Sequence, residues 1–319
     1  MSGSLPLSTC NSFLDRCFVS TCPNTLDSPP SGETTAHSNK GAQATLPMRY
    51  YEGRSRFRIV DVAELWRYRE TIWILGLRDL KVRYRQTLIG VAWAILQPLT
   101  MMLVFATLFH LMGHMPIVGA VPYAVVAFCG LLGWQLFSTT VTGCTNSLVT
   151  NRNMITKIYF PRLALPLSTI VVGIVDLLFA MLVLVGLMAW YGIFPSWHIV
   201  TLPLFIALAA LTSLAVGIWL SALNAIYRDV GFVVPFLIQV GFFLSPVVYE
   251  TASVIPKQWQ PLYALNPMVG VLEGFRWALL GKSMPPWEMM GVSFTILLAI
   301  LIGGLIYFRH TERSFADRI

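Results

Sequence analysis

The sequence predicts an all-α membrane protein: six transmembrane helices, an N-terminal amphipathic interfacial helix, and an external re-entrant helical segment before the last span. Three observations predict it. The 319 residues are 56% hydrophobic and only 12% charged, about half the charged share of a soluble domain. The apolar runs reach the ~20 residues that carry a helix across a ~30 Å hydrocarbon core. They lack the period-2 alternation of a membrane β-barrel. Finally, residues 77–98, LRDLKVRYRQTLIGVAWAILQP, place Arg78, Lys81, Arg83 and Arg85 just before a run with no Lys, Arg, Asp or Glu until Arg152. Cations at the headgroups followed by apolar helix mark the cytoplasmic side of a bilayer.

Residues 1–47 are rich in Ser, Thr, Pro, Asn and Gly and carry no apolar period, so a disordered tail is expected. No basic start leads into an apolar core, so the tail does not read as a signal peptide. Met48, followed at once by RYYEGRSRFR, is a candidate translation start. Cys10, Cys17 and Cys22 in the tail lack zinc-ligand spacing. Cys129 and Cys144 fall in one apolar run and read as small packing residues.

Residues 62–87 form the expected interfacial helix. Trp66, Trp73, Leu77, Leu80 and Tyr84 recur at helical spacing beside Arg67, Arg78, Lys81 and Arg85, the composition of a helix lying in the membrane plane. A soluble helix packed on a partner has the same pattern.

The six-span domain is expected over 88–309. The first span, 88–112, contains Gln97-Pro98 and ends near His110 and His114. These histidines lie four apart but have no third ligand nearby, so they read as interfacial. The second span, 122–148, carries Gly130, Gly133, Ser138, Thr139, Thr140, Thr142, Gly143 and Thr145; small and hydroxyl residues suit a helix packed inside the bundle or at a subunit interface. A basic break, NRNMITKIYFPR at 151–162, precedes the third span, 163–191. Asp176 lies near the middle of that span, and two readings stay open: an intramembrane acid with a functional role, or a structural contact, for instance to the hydroxyl-rich second span. The fourth span, 199–225, ends in the tight turn Tyr227-Arg228-Asp229. The fifth, 230–249, contains Pro235 and Gln239.

Residues 250–282 are too broken to span. Within them LNPMVGVLEGFRWALL offers an N-cap asparagine and a proline at the first helical position, so a helix dipping into the outer leaflet is expected. The last span is 287–308, and 310–319 form a tail. Of the 22 lysines and arginines only Lys257, Arg276 and Lys282 fall on the outer side. By the positive-inside rule both termini are cytoplasmic. The net charge of +7 is then a membrane address and not a nucleic-acid signal.

Catalytic motifs are missing. Gly281-Lys282-Ser283 resembles the end of a phosphate-binding loop, but Arg276 stands where its first glycine belongs. No nucleophile elbow, zinc-protease motif or paired catalytic carboxylates occur. The chain therefore reads as a non-enzyme whose energy comes from a partner or an ion gradient.

Four blocks then stand in a recognisable order: LRDLKVRYRQTLIGVAWAILQP, ITKIYFPRLALPL, SALNAIYRDVGFVVPFLIQVGFFLSPVVYE and LYALNPMVGVLEGFRWALLG. Together they resemble the membrane subunits of type-2 ABC exporters for bacterial surface polysaccharides (O-antigen, capsule and teichoic acid permeases) over about residues 62–308. The amino-terminal tail lies outside that pattern, and Ile226 departs from a turn that is more basic in the family.

The resemblance implies a homodimer in the bacterial inner membrane. It also implies two copies of a separate cytoplasmic ATPase subunit, which carry the ATP and magnesium, and no cofactor on this chain. The implied substrate is polysaccharide on a polyprenyl pyrophosphate lipid, O-antigen above all. On that reading Arg78, Lys81, Arg83 and Arg85 attract the lipid pyrophosphate. Met154, Thr156, Lys157, Tyr159 and Arg162, with Tyr227, Arg228 and Asp229, dock the ATPase. Trp93, Phe105, Trp134, Phe137 and Tyr249 are candidates to line the glycan path, because rings stack on apolar sugar faces; taken singly, each fits a lipid-facing or core ring better.

Rival readings are a type-2 exporter of a drug or small lipid and an ion-coupled secondary transporter. The latter predicts internal repeats and several mid-membrane charges, whereas the sequence shows no repeat and only Asp176. A membrane-embedded glycosyl- or acyltransferase predicts an interfacial His/Asp/Glu cluster that is missing.

Overall fold

The computed structural model describes residues 62–85, 90, 92–111, 121–157, 160–281 and 287–312. Met48, Cys10, Cys17, Cys22, His114, Tyr159, Lys282 and the tail after Glu312 lie outside the described residues. By internal contacts the chain divides into Met1–Ser55 and Arg56–Ile319, and every described residue belongs to the second unit.

The described residues are helical, with no strand among them. Helices α1 (Val62–Arg67) and α2 (Arg69–Arg85) come first, then α3 (Ala92–Leu111), α4 (Tyr123–Thr150), the short α5 (Arg152–Lys157) and α6 (Ala164–Trp190). A 3-10 turn, Trp197–Thr201, leads into α7 (Leu202–Ile226), followed by α8 (Val230–Leu244). Short helices α9 (Thr251–Val254) and α10 (Gln260–Tyr263) precede α11 (Pro267–Leu280) and α12 (Trp287–Glu312).

Among the described residues five helical segments are long and apolar enough to cross a membrane: α3, α4, α6, α7 with its leading turn, and α12. The expected fifth span is shorter than its sequence suggested. Helix α8 stops at Leu244 after 15 residues, about 22 Å of helix against a ~30 Å core. The chain turns at Ser245-Pro246, where proline lacks the N–H a helix needs and disfavours helix at the residue before it, and Arg276 satisfies the Pro246 and Val247 carbonyls of the turn.

Helix α4 is the centre of the bundle, buried along most of its length, as its small and hydroxyl residues predicted. A Cβ on Gly173 of α6 would lie 2.5 Å from Thr140 Oγ1, and one on Gly217 of α7 would lie 2.6 Å from Cys144 Cβ. Glycine at both positions lets the neighbouring helices approach α4 to backbone distance.

The N-terminal helix departs from expectation in two ways. A turn at Tyr68 separates α1 from α2. Helix α2 also does not lie flat away from the bundle; it runs alongside α6. A Cβ on Gly76 would lie 2.6 Å from Val171 Cβ, and two turns later Arg83 and Tyr84 reach Asp176. Both helices advance together, so they run in the same direction for about 12 Å. Gly76 permits the contact, and the buried charge of Asp176 extends it.

On the other face, α11 is buried along nearly all its length. Asn266 caps it by accepting from Met268 N–H at 3.0 Å. Its amide also donates to Ser245 Oγ at 2.8 Å, fastening α11 to the turn after α8.

Candidate functional site

The cations of α2 divide between two faces. Ile74, Leu77, Arg78, Lys81, Val82 and Arg85 line an open groove of about 810 Å³. Their spacing of three and four puts them on one side of a helix. Three aliphatic side chains and three cations thus share one open face of α2, a surface suited to a ligand with an apolar tail and an anionic head. Arg83 belongs to the opposite side. Its Nη2 lies 3.2 Å from Asp176 Oδ2, and the Tyr84 hydroxyl donates to Asp176 Oδ1. Asp176 is 1% exposed, so a carboxylate there needs such partners. Its reading as a structural contact gains a definite form: the contact is to α2, and not to the hydroxyl-rich α4.

Arg78 does more than line the groove. Its Nη2 donates to Asn151 Oδ1 at 2.6 Å, and Nη2 and Nε donate to Asp79 Oδ1 at 2.7 and 3.0 Å. Its Nη1 lies 3.9 Å from Met154 Sδ on α5. Asn151 is the joint between α4 and α5. Its backbone and side-chain nitrogens both donate to the Ser147 carbonyl, while its own carbonyl accepts from Met154 and Ile155.

The expected docking segments converge on one end of the bundle. Lys157 and the turn residues Tyr227, Arg228 and Asp229 are exposed, and Met154 is half-buried. Arg162 Nη1 donates to the Glu312 carbonyl at the end of α12. The side chain of Thr156 lies outside the described residues. The turn is held against α4 by Asn224, which the sequence reading missed. Its Nδ2 donates to Thr145 O at 2.8 Å and to Asn146 Oδ1 at 3.4 Å, and its Oδ1 accepts from Gly231 N–H at 2.9 Å. A lone amide closing an apolar span was the available signal.

The five path candidates part company. Trp134 packs on Phe137 with ring centroids 5.1 Å apart, and on Phe242 at 5.9 Å. Phe105 meets the same Phe242 at 5.7 Å. Trp134 and Phe137 are thus core rings within one chain. Trp93 is exposed on α3. Tyr249 hydrogen-bonds Tyr263, hydroxyl to hydroxyl, at 2.8 Å.

A second missed cluster pins α11 to the 245–251 loop. Glu273 Oε1 accepts from Thr251 N–H at 2.9 Å, Thr251 Oγ1 at 2.7 Å and Arg276 Nη1 at 3.2 Å. Arg276, 1% exposed, donates through Nη2 to Val247 O at 2.8 Å and to Pro246 O. The signal was an acid and a base three apart in an otherwise apolar helix. Nearby, burial first and the Glu273 carboxylate second push the Glu250 carboxyl above the usual carboxylate range, with Arg276 offsetting part of the rise. Among the described residues no group of three or more His, Cys, Asp or Glu could hold a metal ion.

Long apolar helices around a buried α4, with a cationic groove at one end, define a multi-pass helical membrane protein. Residues 70–280 match the family model described as ABC-2 type transporter. An O-antigen export system permease protein RfbA of Myxococcus xanthus is 30% identical over 259 residues, covering 81% of this chain and 98% of that protein. A permease of the same name from Klebsiella pneumoniae is 27% identical, covering 76% of this chain and 93% of its own. The polysialic acid transport protein KpsM of Escherichia coli is 26% identical, covering 76% and 94%. The chain belongs to the ABC-2 type transporter family, and its likeness to polysaccharide permeases extends over most of its length.

Proposed function

We propose that this chain is the transmembrane subunit of an ATP-driven exporter of lipid-linked polysaccharide, O-antigen in the first place, across a bacterial inner membrane. The relatives named for O-antigen export and polysialic acid transport support the substrate class. The observation that carries the lipid-linked part is the α2 groove, where Arg78, Lys81 and Arg85 stand among Ile74, Leu77 and Val82. A polyprenyl pyrophosphate has the matching chemistry: a dianionic head for the guanidinium and ammonium groups, and an apolar tail.

The working unit in this reading is a homodimer of six-span chains, with α8 as the short fifth span and both termini cytoplasmic. Two ATPase subunits supply ATP hydrolysis with their own magnesium. They dock on α5 and the Tyr227–Asp229 turn, which lie at the same end of α4. ATP binding closes the partner subunits, moves these segments, and admits the lipid-linked chain over repeated cycles. An ion-coupled carrier is disfavoured by the pairing of Asp176 with Arg83 and Tyr84, because a carboxylate already matched to a cation makes a poor ion shuttle.

Co-purification tests this function. The chain is co-expressed with the ATPase encoded beside it, and hydrolysis is measured with and without lipid-linked polysaccharide. A stable complex whose hydrolysis responds to the substrate is expected. A chain that purifies alone and alters no ATPase would overturn the proposal.

A further inference from the structure

Arg78 stands at two sites at once. It lines the α2 groove, and the same guanidinium holds Asn151 at the α4–α5 joint and touches Met154 on α5. Apart from Asp79, the next residue along its own helix, those contacts are a neutral amide and a thioether. A diphosphate offers the guanidinium an opposite charge and paired acceptor oxygens, neither of which a neutral amide supplies. A diphosphate entering the groove would therefore compete well for the donors now given to Asn151.

We infer that Arg78 is an occupancy sensor: an anionic lipid head in the groove draws Arg78 away from Asn151 and Met154, and so reports its presence to α5. This rests on the proposed role of the groove as the lipid pyrophosphate access and of α5 as an ATPase contact. The two states are then explicit. With the groove empty, Arg78 restrains the joint; with the groove filled, α5 is released. Linkage makes the effect reciprocal, so a movement of α5 that withdraws Asn151 frees Arg78 and tightens the groove. Among the described residues Lys81 and Arg85 share the groove and make no bond to α4 or α5. They contribute attraction only. Arg83 is committed to Asp176 and plays no part.

The design separates binding from signalling. The chain with its ATPase subunit is placed in phosphatidylcholine vesicles, and ATP hydrolysis is followed as farnesyl diphosphate is added. Probe binding is measured in parallel by vesicle flotation. Lys81→Ala should raise the half-saturating probe concentration roughly fivefold and leave the maximal stimulation unchanged. Asn151→Ala should do the opposite. Binding is kept or tightened, because no acceptor competes for Arg78, while maximal stimulation falls roughly fivefold or more. Asn151→Asp keeps the shape of the joint and holds Arg78 by charge, so it should shift half-saturation upward by roughly two- to fivefold. Full stimulation in Asn151→Ala together with unshifted half-saturation in Asn151→Asp would overturn the sensor. A wild-type complex that neither binds nor answers the probe would remove the access reading and the sensor with it. Inorganic pyrophosphate, added alone, distinguishes the source of the anion. If it stimulates too, the groove reads the diphosphate whatever carries it; if only the prenylated probe does, the aliphatic side chains are part of recognition. The sensor stands in either case.

Discussion

Arg83 on α2 and Asp176 on α6 form an ion pair at 3.2 Å, in which the arginine remains 39% exposed and the aspartate is 1% exposed. The pair fixes the rotation of α2. With Arg83 turned toward α6, Arg78, Lys81 and Arg85 are left on the groove side. An intramembrane acid thus acquires a positioning role.

Exchange of the two charges tests that role. Asp176→Asn and Arg83→Gln should each weaken the seating of α2, by about 1.5–3 kcal/mol for a lost bond to a charged group, and lower export without abolishing it. The double exchange, Arg83→Asp with Asp176→Arg, should recover part of the loss, as a double-mutant cycle on export rates would reveal. Complete loss in Asp176→Asn with intact assembly and no recovery in the exchange would favour ion coupling.

Asn224 offers a second test. It clasps the Tyr227–Asp229 turn to α4 through Thr145, Asn146 and Gly231. Asn224→Ala removes the side-chain bridge between the turn and α4, a cost of about 0.5–1.5 kcal/mol per neutral hydrogen bond, while Gly231 N–H keeps its bond to the Arg228 carbonyl. The expected outcome is ATP hydrolysis that continues while export per ATP falls. An unchanged ratio would remove Asn224 from transmission.

The outer pin is expected to matter for stability more than for substrate choice. Arg276→Met leaves the buried Glu273 carboxylate without its cation, held only by the Thr251 N–H and hydroxyl, and removal of one partner from a buried pair costs about 3–5 kcal/mol. Thermal unfolding in detergent should drop accordingly. Replacing both residues, with Glu273→Leu and Arg276→Met, should cost less than the single change, because no buried charge is left alone.

Glu250 predicts a pH dependence with a definite sign. Its carboxyl is raised above the ordinary carboxylate value by burial and by Glu273. The folded state therefore holds its proton more tightly than the unfolded state. The stability this contributes is full below the ordinary value and is lost as pH rises through the raised one. Glu250→Gln should flatten stability against pH across that window, measured as melting temperature in a buffer series. A slope equal to wild type would assign the dependence to another group.

The helices were legible because their determinants are local. Runs long enough for a bilayer, the asparagine-proline start of α11 and the small residues of α4 act within a few turns. Helix α8 ends at Leu244, just before an extended Ser245 and then Pro246, because proline lacks an N–H and disfavours helix at the residue before it; what lay far along the chain was the partner of the exposed loop carbonyls, Arg276. The groove was partly legible. Four cations were visible, but their division between two faces was not.

By itself the sequence determined that this protein is a helical membrane protein, since length and apolarity act on the solvent directly. The tertiary structure alone decided that α2 stands along α6, that Asp176 meets Arg83, and that Arg78 links a groove to the α4–α5 joint. Those pairings join residues far apart in the chain, and only packing brings them within a hydrogen bond's length.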